Sequence, residues 1–236
     1  VAGGPVLTFE GAVIRNGAFT LAADFTVEPG SQNAVIGPSG AGKSTLLHGI
    51  AGFMPVEAGR IVWEGRDISH MAPGARPVSI VFQDQNLFPH LTAFQNVALG
   101  VDPAARLDRM QRTAVAAALE RVGLAGLGGR KPRELSGGQQ SRLALARASV
   151  RHRPLLLLDE AFAALGPGLR REMLDLVIAV ARETAATLLM VTHDPEDARR
   201  ASTHTIFVDA GVAAAPRETR ELFAAPSPAL RAYLGP

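Results

Sequence analysis

Gly37-Pro38-Ser39-Gly40-Ala41-Gly42-Lys43-Ser44, followed by Thr45, is the stretch that decides the fold of this chain. It fits the pattern G-x-x-x-x-G-K-[ST]. A short apolar run, Asn33 to Ile36, leads into it, and Lys43 to Ala51 reads as a helix that Gly52 closes. Glycine lets backbone N–H groups turn inward and approach phosphate oxygens. The helix N-terminus adds partial positive charge. In such a cradle Lys43 reaches the β- and γ-phosphates of a nucleotide, and the Ser44 hydroxyl is a ligand for Mg²⁺. A plain glycine-rich turn is the alternative, and the flanking strand and helix argue against it.

A cradle of this kind needs a second, acidic Mg²⁺ ligand from a neighbouring strand. Leu155-Leu156-Leu157-Leu158 is apolar throughout, as expected of a central parallel strand buried on both faces, and it ends in Asp159-Glu160. The strand delivers Asp159 to its C-terminal edge, where open α/β sheets bind their ligands. Glu160, one residue on, is placed as a general base on an attacking water.

The rest of the chain alternates strands and helices, which points to an α/β sheet. Val6 to Glu10, Phe19 to Val27, Ile61 to Trp63, Val78 to Phe82 and Thr187 to Val191 read as strands. Ile206 to Asp209 and Val212 to Ala215 flank Gly211 as a hairpin. Between about residues 86 and 152 strand signals are missing. Thr92 is an expected N-cap for a short helix. Asp102-Pro103 is expected to start a longer one, carrying Leu107, Met110, Val115, Leu119 and Val122 on one face. Gln139 to His152 and Gly168 to Thr184 are further expected helices.

Composition narrows the function. Cys is absent, which excludes disulfides, thiolate metal sites and a Cys nucleophile. Of 24 basic residues only Lys43 and Lys131 are Lys, and the Arg residues are scattered. The pI of 9.6 therefore reflects a net charge of +2 in a chain with few groups left to titrate, not a nucleic-acid footprint. No run approaches the ~18 apolar residues of a membrane span.

Leu135-Ser136-Gly137-Gly138-Gln139, ahead of a helix, matches the signature motif of ABC-transporter ATPases. Around it Gln83, after Val81-Phe82, resembles the Q-loop glutamine, and His193, after Val191-Thr192, resembles the switch histidine. The resemblance spans nearly the whole chain. It implies an α/β fold with a P-loop NTPase (RecA-like) core, an N-terminal antiparallel β-subdomain and an inserted helical subdomain. The whole chain, 1–236, is then one domain. Its nucleotide core is 1–85 with 153–236, and 86–152 is the helical subdomain with the signature.

The resemblance further implies ATP and Mg²⁺ as cofactors and a head-to-tail homodimer. In it Ser136, Gly137, Gly138 and Gln139 of one copy face the γ-phosphate held by the other. Glu160, His193 and Gln83 are the implied catalytic residues, with Ser44, Gln83 and Asp159 around the metal. Gln83 would link the site to a groove that receives the coupling helix of a transmembrane permease.

The stretch Arg76 to Thr92 is most similar to bacterial importers, and among them to thiamine-importer ATPases. That implies a peripheral subunit at the cytoplasmic face of the inner membrane, served indirectly by a solute-binding protein. Importers of polyamine, iron or oxyanions, or a soluble ABC ATPase, are the alternatives. Three places depart from the family pattern, one of them Gln140-Ser141, which follow the signature where the family often has Arg-Gln. Gly166 stands where the D-loop has aspartate. Ile14, Arg15 and Asn16 stand where an aromatic would stack on adenine, leaving Phe19 to substitute or to pack inward on its strand.

Overall fold

The computed structural model describes residues 6–235. Among these residues eleven strands and eight α-helices follow one another: β1 Leu7–Asn16, β2 Phe19–Val27, β3 Gln32–Ile36, α1 Lys43–Ala51, β4 Val56–Trp63, β5 Arg66–Asp67, β6 Val78–Phe82, α2 Ala93–Val101, α3 Arg109–Arg121, α4 Gly137–Ser149, β7 Leu155–Asp159, α5 Pro167–Glu183, β8 Thr187–Val191, α6 Pro195–Ala201, β9 His204–Asp209, β10 Val212–Ala213, β11 Arg217–Glu218, α7 Thr219–Ala224 and α8 Pro228–Leu234.

All strands but β11 join in the order β5-β4-β1-β2-β10-β9-β3-β8-β7-β6, and β11 pairs with β9. The β9-β3-β8-β7-β6 half is parallel, with registers such as Val35↔Val191 and Phe82↔Asp159. Its central strands β3 and β8 are buried at every position, which is why their sequences show no alternation. The other half, β5-β4-β1-β2, is antiparallel, and β2 alternates buried and exposed residues from Leu21 onward. Strand β10 stitches the halves together, running parallel to β2 and antiparallel to β9.

Four cores follow from this layout. The first fills the space between the two half-sheets around α1, with Phe9, Ile14, Leu46, Ile50 and Leu157. A second lies under α4 and α5 on the opposite face of the parallel strands. The third is enclosed by α2, α3 and α4, around Val97, Val115, Leu119 and Leu143. The fourth seats α7 and α8 against Ala34 and Ile36 of β3.

Several expected boundaries shift. Asp102 does not start the longer helix. It terminates α2, and its carboxylate accepts hydrogen bonds from the Ala104 and Arg106 amides. Helix α3 starts six residues later, where Asp108 and Gln111 form a reciprocal capping box. An acid before Pro serves a loop turn as well as a helix start, and the Asp108 box won. Met110, expected on the buried face, is therefore 82% exposed. Helix α4 begins at Gly137, two residues before expected, because Ser136 caps it with Gln139 as its box partner. Strand β1 runs on to Asn16 through a bulge between Phe9 and Ala12.

Candidate nucleotide site

Gly37 to Gly42 form the loop between β3 and α1, and Lys43 and Ser44 open the helix. Gly37 has φ +149°, and a Cβ there would lie 1.9 Å from the Val208 carbonyl oxygen of β9, so no side chain fits. Gly42 caps α1 at φ 110° with no side-chain cap, and the first turn of the helix carries no acidic residue. The N-terminal N–H groups of α1 thus face the cleft without competition from the chain itself. Lys43 is buried, and its Nζ donates to the Gly37 and Pro38 carbonyls at 2.9 and 2.8 Å, which holds the ammonium under the loop. Burial lowers the Lys43 pKa, and Glu160 and Asp159 pull it partway back.

The Ser44 hydroxyl donates to Asp159 Oδ1 at 2.8 Å, so the loop and the end of β7 meet at one point. His48, one helical turn beyond Ser44, brings its Nε2 to 3.0 Å from Asp159 Oδ2, outside hydrogen-bonding alignment. One face of α1 thus brackets both oxygens of Asp159. The His48 ring packs against Phe53 and Phe82, centroids 6.1 and 5.9 Å away.

Glu160 follows Asp159 with φ +49°, a left-handed conformation unusual for a non-glycine residue. That backbone costs about 1 kcal/mol and turns the side chain back into the cleft. The cleft has a volume of about 430 Å³ and is lined by Asn16, Phe19, Ser39 to Thr45 in part, and Glu160. Phe19 is half-buried and packs inward as well as facing the cleft. It rests on the first core, and it lines the cleft beside Gly42, where a Cβ would lie 2.9 Å from its ring.

His193 is exposed on the turn after β8, and it shares a second small cleft with Glu160. The turn is held from behind. Arg170 of α5 donates through Nε to Asp197 Oδ2 at 2.8 Å, Thr192 Oγ1 donates to the same oxygen at 2.9 Å, and Arg170 lies 3.5 Å from Asp194. Gln83 directly follows β6, one residue beyond the Phe82↔Asp159 register pair. Its side chain is exposed, and among the described residues no hydrogen bond joins it to Ser44 or Asp159.

Ser136 and Gly137 are exposed at the N-terminus of α4, and Ser136 to Gln139 do not line the cleft of Lys43. The structure brings together the loop, Asp159 and Glu160, sets His193 beside Glu160, and leaves the signature on a separate surface. Arg170, Asp197 and His48 were missed in the sequence. Only His48 left a signal there, its i,i+4 spacing from Ser44.

The family model for ABC transporters matches residues 21–163. The chain is 62% identical over 231 residues to the thiamine import ATP-binding protein ThiQ of Cereibacter sphaeroides, covering 98% of this chain and 100% of that one. It is 54% identical to the ThiQ protein of a Ruegeria species, with the same two coverages. Among solved structures it resembles the ADP conformation of an ATP-binding cassette of an ABC transporter, at TM-score 0.82 and 26% identity, covering 94% of this chain and 96% of that one. It also resembles a dimeric ATP-binding cassette in a post-hydrolysis state with ADP and Pi, at TM-score 0.74 and 26% identity, over 91% and 99% of the two chains. Both the site and these likenesses lead to one conclusion: the chain belongs to the ABC transporter family, as one of its ATP-hydrolysing cassettes.

Proposed function

We propose that this chain is the ATP-binding subunit of a thiamine importer, working as a homodimer beneath a transmembrane permease at the cytoplasmic face of the bacterial membrane. The observation that carries the cargo is the 62% identity, end to end, with a thiamine import ATP-binding protein. The cassette itself never meets the cargo, so the cleft carries only the ATPase half of the reading. No helix among the described residues is long and apolar enough to cross a membrane, in keeping with a peripheral subunit.

The donor set fits Mg²⁺. Ser44 and Asp159 present one hydroxyl and one carboxylate at a single point, and no group of three His, Asp or Glu side chains forms a cage among the described residues. Mg²⁺ favours this arrangement, since it keeps waters and substrate phosphates in its other positions. Bound there, it would neutralise charge on the β- and γ-phosphate oxygens.

The chain's own groups do the rest. Backbone N–H groups from Gly40 to Thr45 bind phosphate, and Lys43 exchanges its loop carbonyls for phosphate oxygens. Glu160 takes the proton of the attacking water, and His193 orients the γ-phosphate from the adjoining cleft. In a head-to-tail dimer the exposed Ser136 and Gly137, with Gly138 and Gln139, close the site of the other copy. Residues 1–85 and 153–236 serve as the nucleotide core and 86–152 as the helical subdomain.

A groove of about 490 Å³, lined by Phe53, Phe82, Phe88, Arg147 and Arg151 among others, lies beside Gln83 and suits a coupling helix of the permease. The test is uptake of labelled thiamine into proteoliposomes holding the chain, its permease and the solute-binding protein. ATP-dependent thiamine uptake that Lys43→Ala abolishes is the expected result. Uptake of a polyamine, iron or an oxyanion instead of thiamine overturns the cargo.

A further inference from the structure

The only tyrosine of the chain lies far from every motif discussed so far, yet it stands at the catalytic corner. Tyr233, in the last turn of α8, donates its hydroxyl to the backbone carbonyl of His193 at 3.0 Å. Its ring packs on Phe207 of β9 at a centroid distance of 6.1 Å. The topology explains how a C-terminal residue arrives there. Strands β8, β3 and β9 are neighbours, with Val35 opposite Val191 and Ile36 opposite Phe207. His193 lies two residues beyond the end of β8, and Gly37 lies one beyond the end of β3. Helix α8 is seated just below, with Leu230 fully buried among Ile36, Ala198, Leu222 and Phe223.

The surroundings of the phenol agree with this placement. Burial raises its pKa, the Gly37 backbone lowers it, and the carboxylates of Asp194 and Glu160 raise it. The hydroxyl on the His193 carbonyl and the ring on Phe207 set Tyr233 between the switch turn and β9, the neighbour of β3.

We propose that Tyr233 is a positioning residue for hydrolysis. Through the His193 carbonyl it holds the switch turn in register with the start of the phosphate loop. The other supports of that turn, Arg170, Asp197 and Thr192, act from its far side. Tyr233 approaches from the C-terminal segment and ties the turn to β3 and β9. It touches no reacting atom; its effect passes through His193, and so the inference rests on the catalytic role proposed for His193.

The test uses the full chain and compares Tyr233→Phe, His193→Ala and the double variant for kcat, KM for ATP and Tm. Tyr233→Phe keeps the ring on Phe207 and removes only the hydroxyl. Its kcat is expected to fall about fivefold, the loss of one neutral hydrogen bond, with KM unchanged and Tm lowered by no more than about 2–4 °C. In the His193→Ala background the same change is expected to add nothing to the loss of kcat. Wild-type kcat in Tyr233→Phe beside an impaired His193→Ala overturns the inference and leaves the His193 role standing. A full fivefold loss in the double variant, or a loss carried by KM, overturns it too. Wild-type kcat in His193→Ala removes the His193 role itself, and the inference with it.

Discussion

Each side chain at the site is fixed by a different physical constraint. Lys43 is buried under its own loop by two carbonyls, and a guanidinium is too bulky and planar for that seat. Lys43→Arg is therefore expected to lower ATP hydrolysis at least about 100-fold, like Lys43→Ala, in a steady-state phosphate-release assay. Glu160 sits in a strained backbone that aims its carboxylate into the cleft. Glu160→Gln, which keeps the shape and removes the base, is expected to lower kcat by about 10²- to 10⁴-fold while ATP still binds.

Phe19 is the aromatic side chain among the residues lining the cleft. Phe19→Ala is expected to raise KM for ATP about fivefold, and an unchanged KM would leave adenine without a stacking partner here. Arg76 shows what an arginine can do away from chemistry. Fully buried and, among the described residues, without a salt-bridged carboxylate, it donates to the carbonyls of Gly49, Ile50, Ser69 and Met71, closing the C-terminal end of α1. Arg76→Ala removes this donor from all four, leaving Gly49 its bond from the Gly52 amide, at a cost of about 3 kcal/mol, which should lower Tm by about 6–12 °C in a calorimetric scan.

At the scale of elements, the sequence was most readable where one local rule acted alone. Lys43 to Ala51, Val78 to Phe82 and Thr187 to Val191 begin and end in the structure where glycines and apolar runs place them. It was least readable where two rules competed. Asp102-Pro103 has the form of a helix start, yet Asp102 is taken up as the C-cap of α2, and the next helix starts at the reciprocal box of Asp108 and Gln111. Two-residue strands such as β5 and β11 owe their existence to a partner strand, which no local pattern reveals.

The same holds for the site. The loop, Asp159 and Glu160 were legible because their spacing follows from one strand and one helix. Tyr233 and Arg170 were not, since tertiary packing alone brings them to the His193 turn. Gly166 belongs to this scale as well. It is the N-cap of α5 with no side-chain hydrogen bond, and a Cβ there meets nothing within 4 Å. Gly166→Asp should therefore be tolerated and raise helix stability by a few tenths of a kcal/mol. Because the D-loop carboxylate couples sites in the family pattern, it should also raise the cooperativity of ATP hydrolysis. An unchanged Hill coefficient would show that this position carries no coupling.

For the molecule as a whole, the decisive feature is separation. The phosphate loop and the signature are both fully formed, yet they occupy different surfaces of one chain. Ser136 already accepts its capping hydrogen bond from Gln139, so the exposed end of α4 is finished as local structure and open as a binding surface. In the head-to-tail homodimer proposed above, a single copy holds half of a site and two copies complete two. Under that proposal hydrolysis requires association, with ATP in both cradles.

The shared-site dimer stands or falls on the solution mass of the Glu160→Gln chain with and without ATP and Mg²⁺. The expected result is the 24.8 kDa chain alone and twice that mass with ATP, reverting to the single chain when Ser136→Arg blocks the signature surface. A Glu160→Gln chain that stays single at saturating ATP would contradict it.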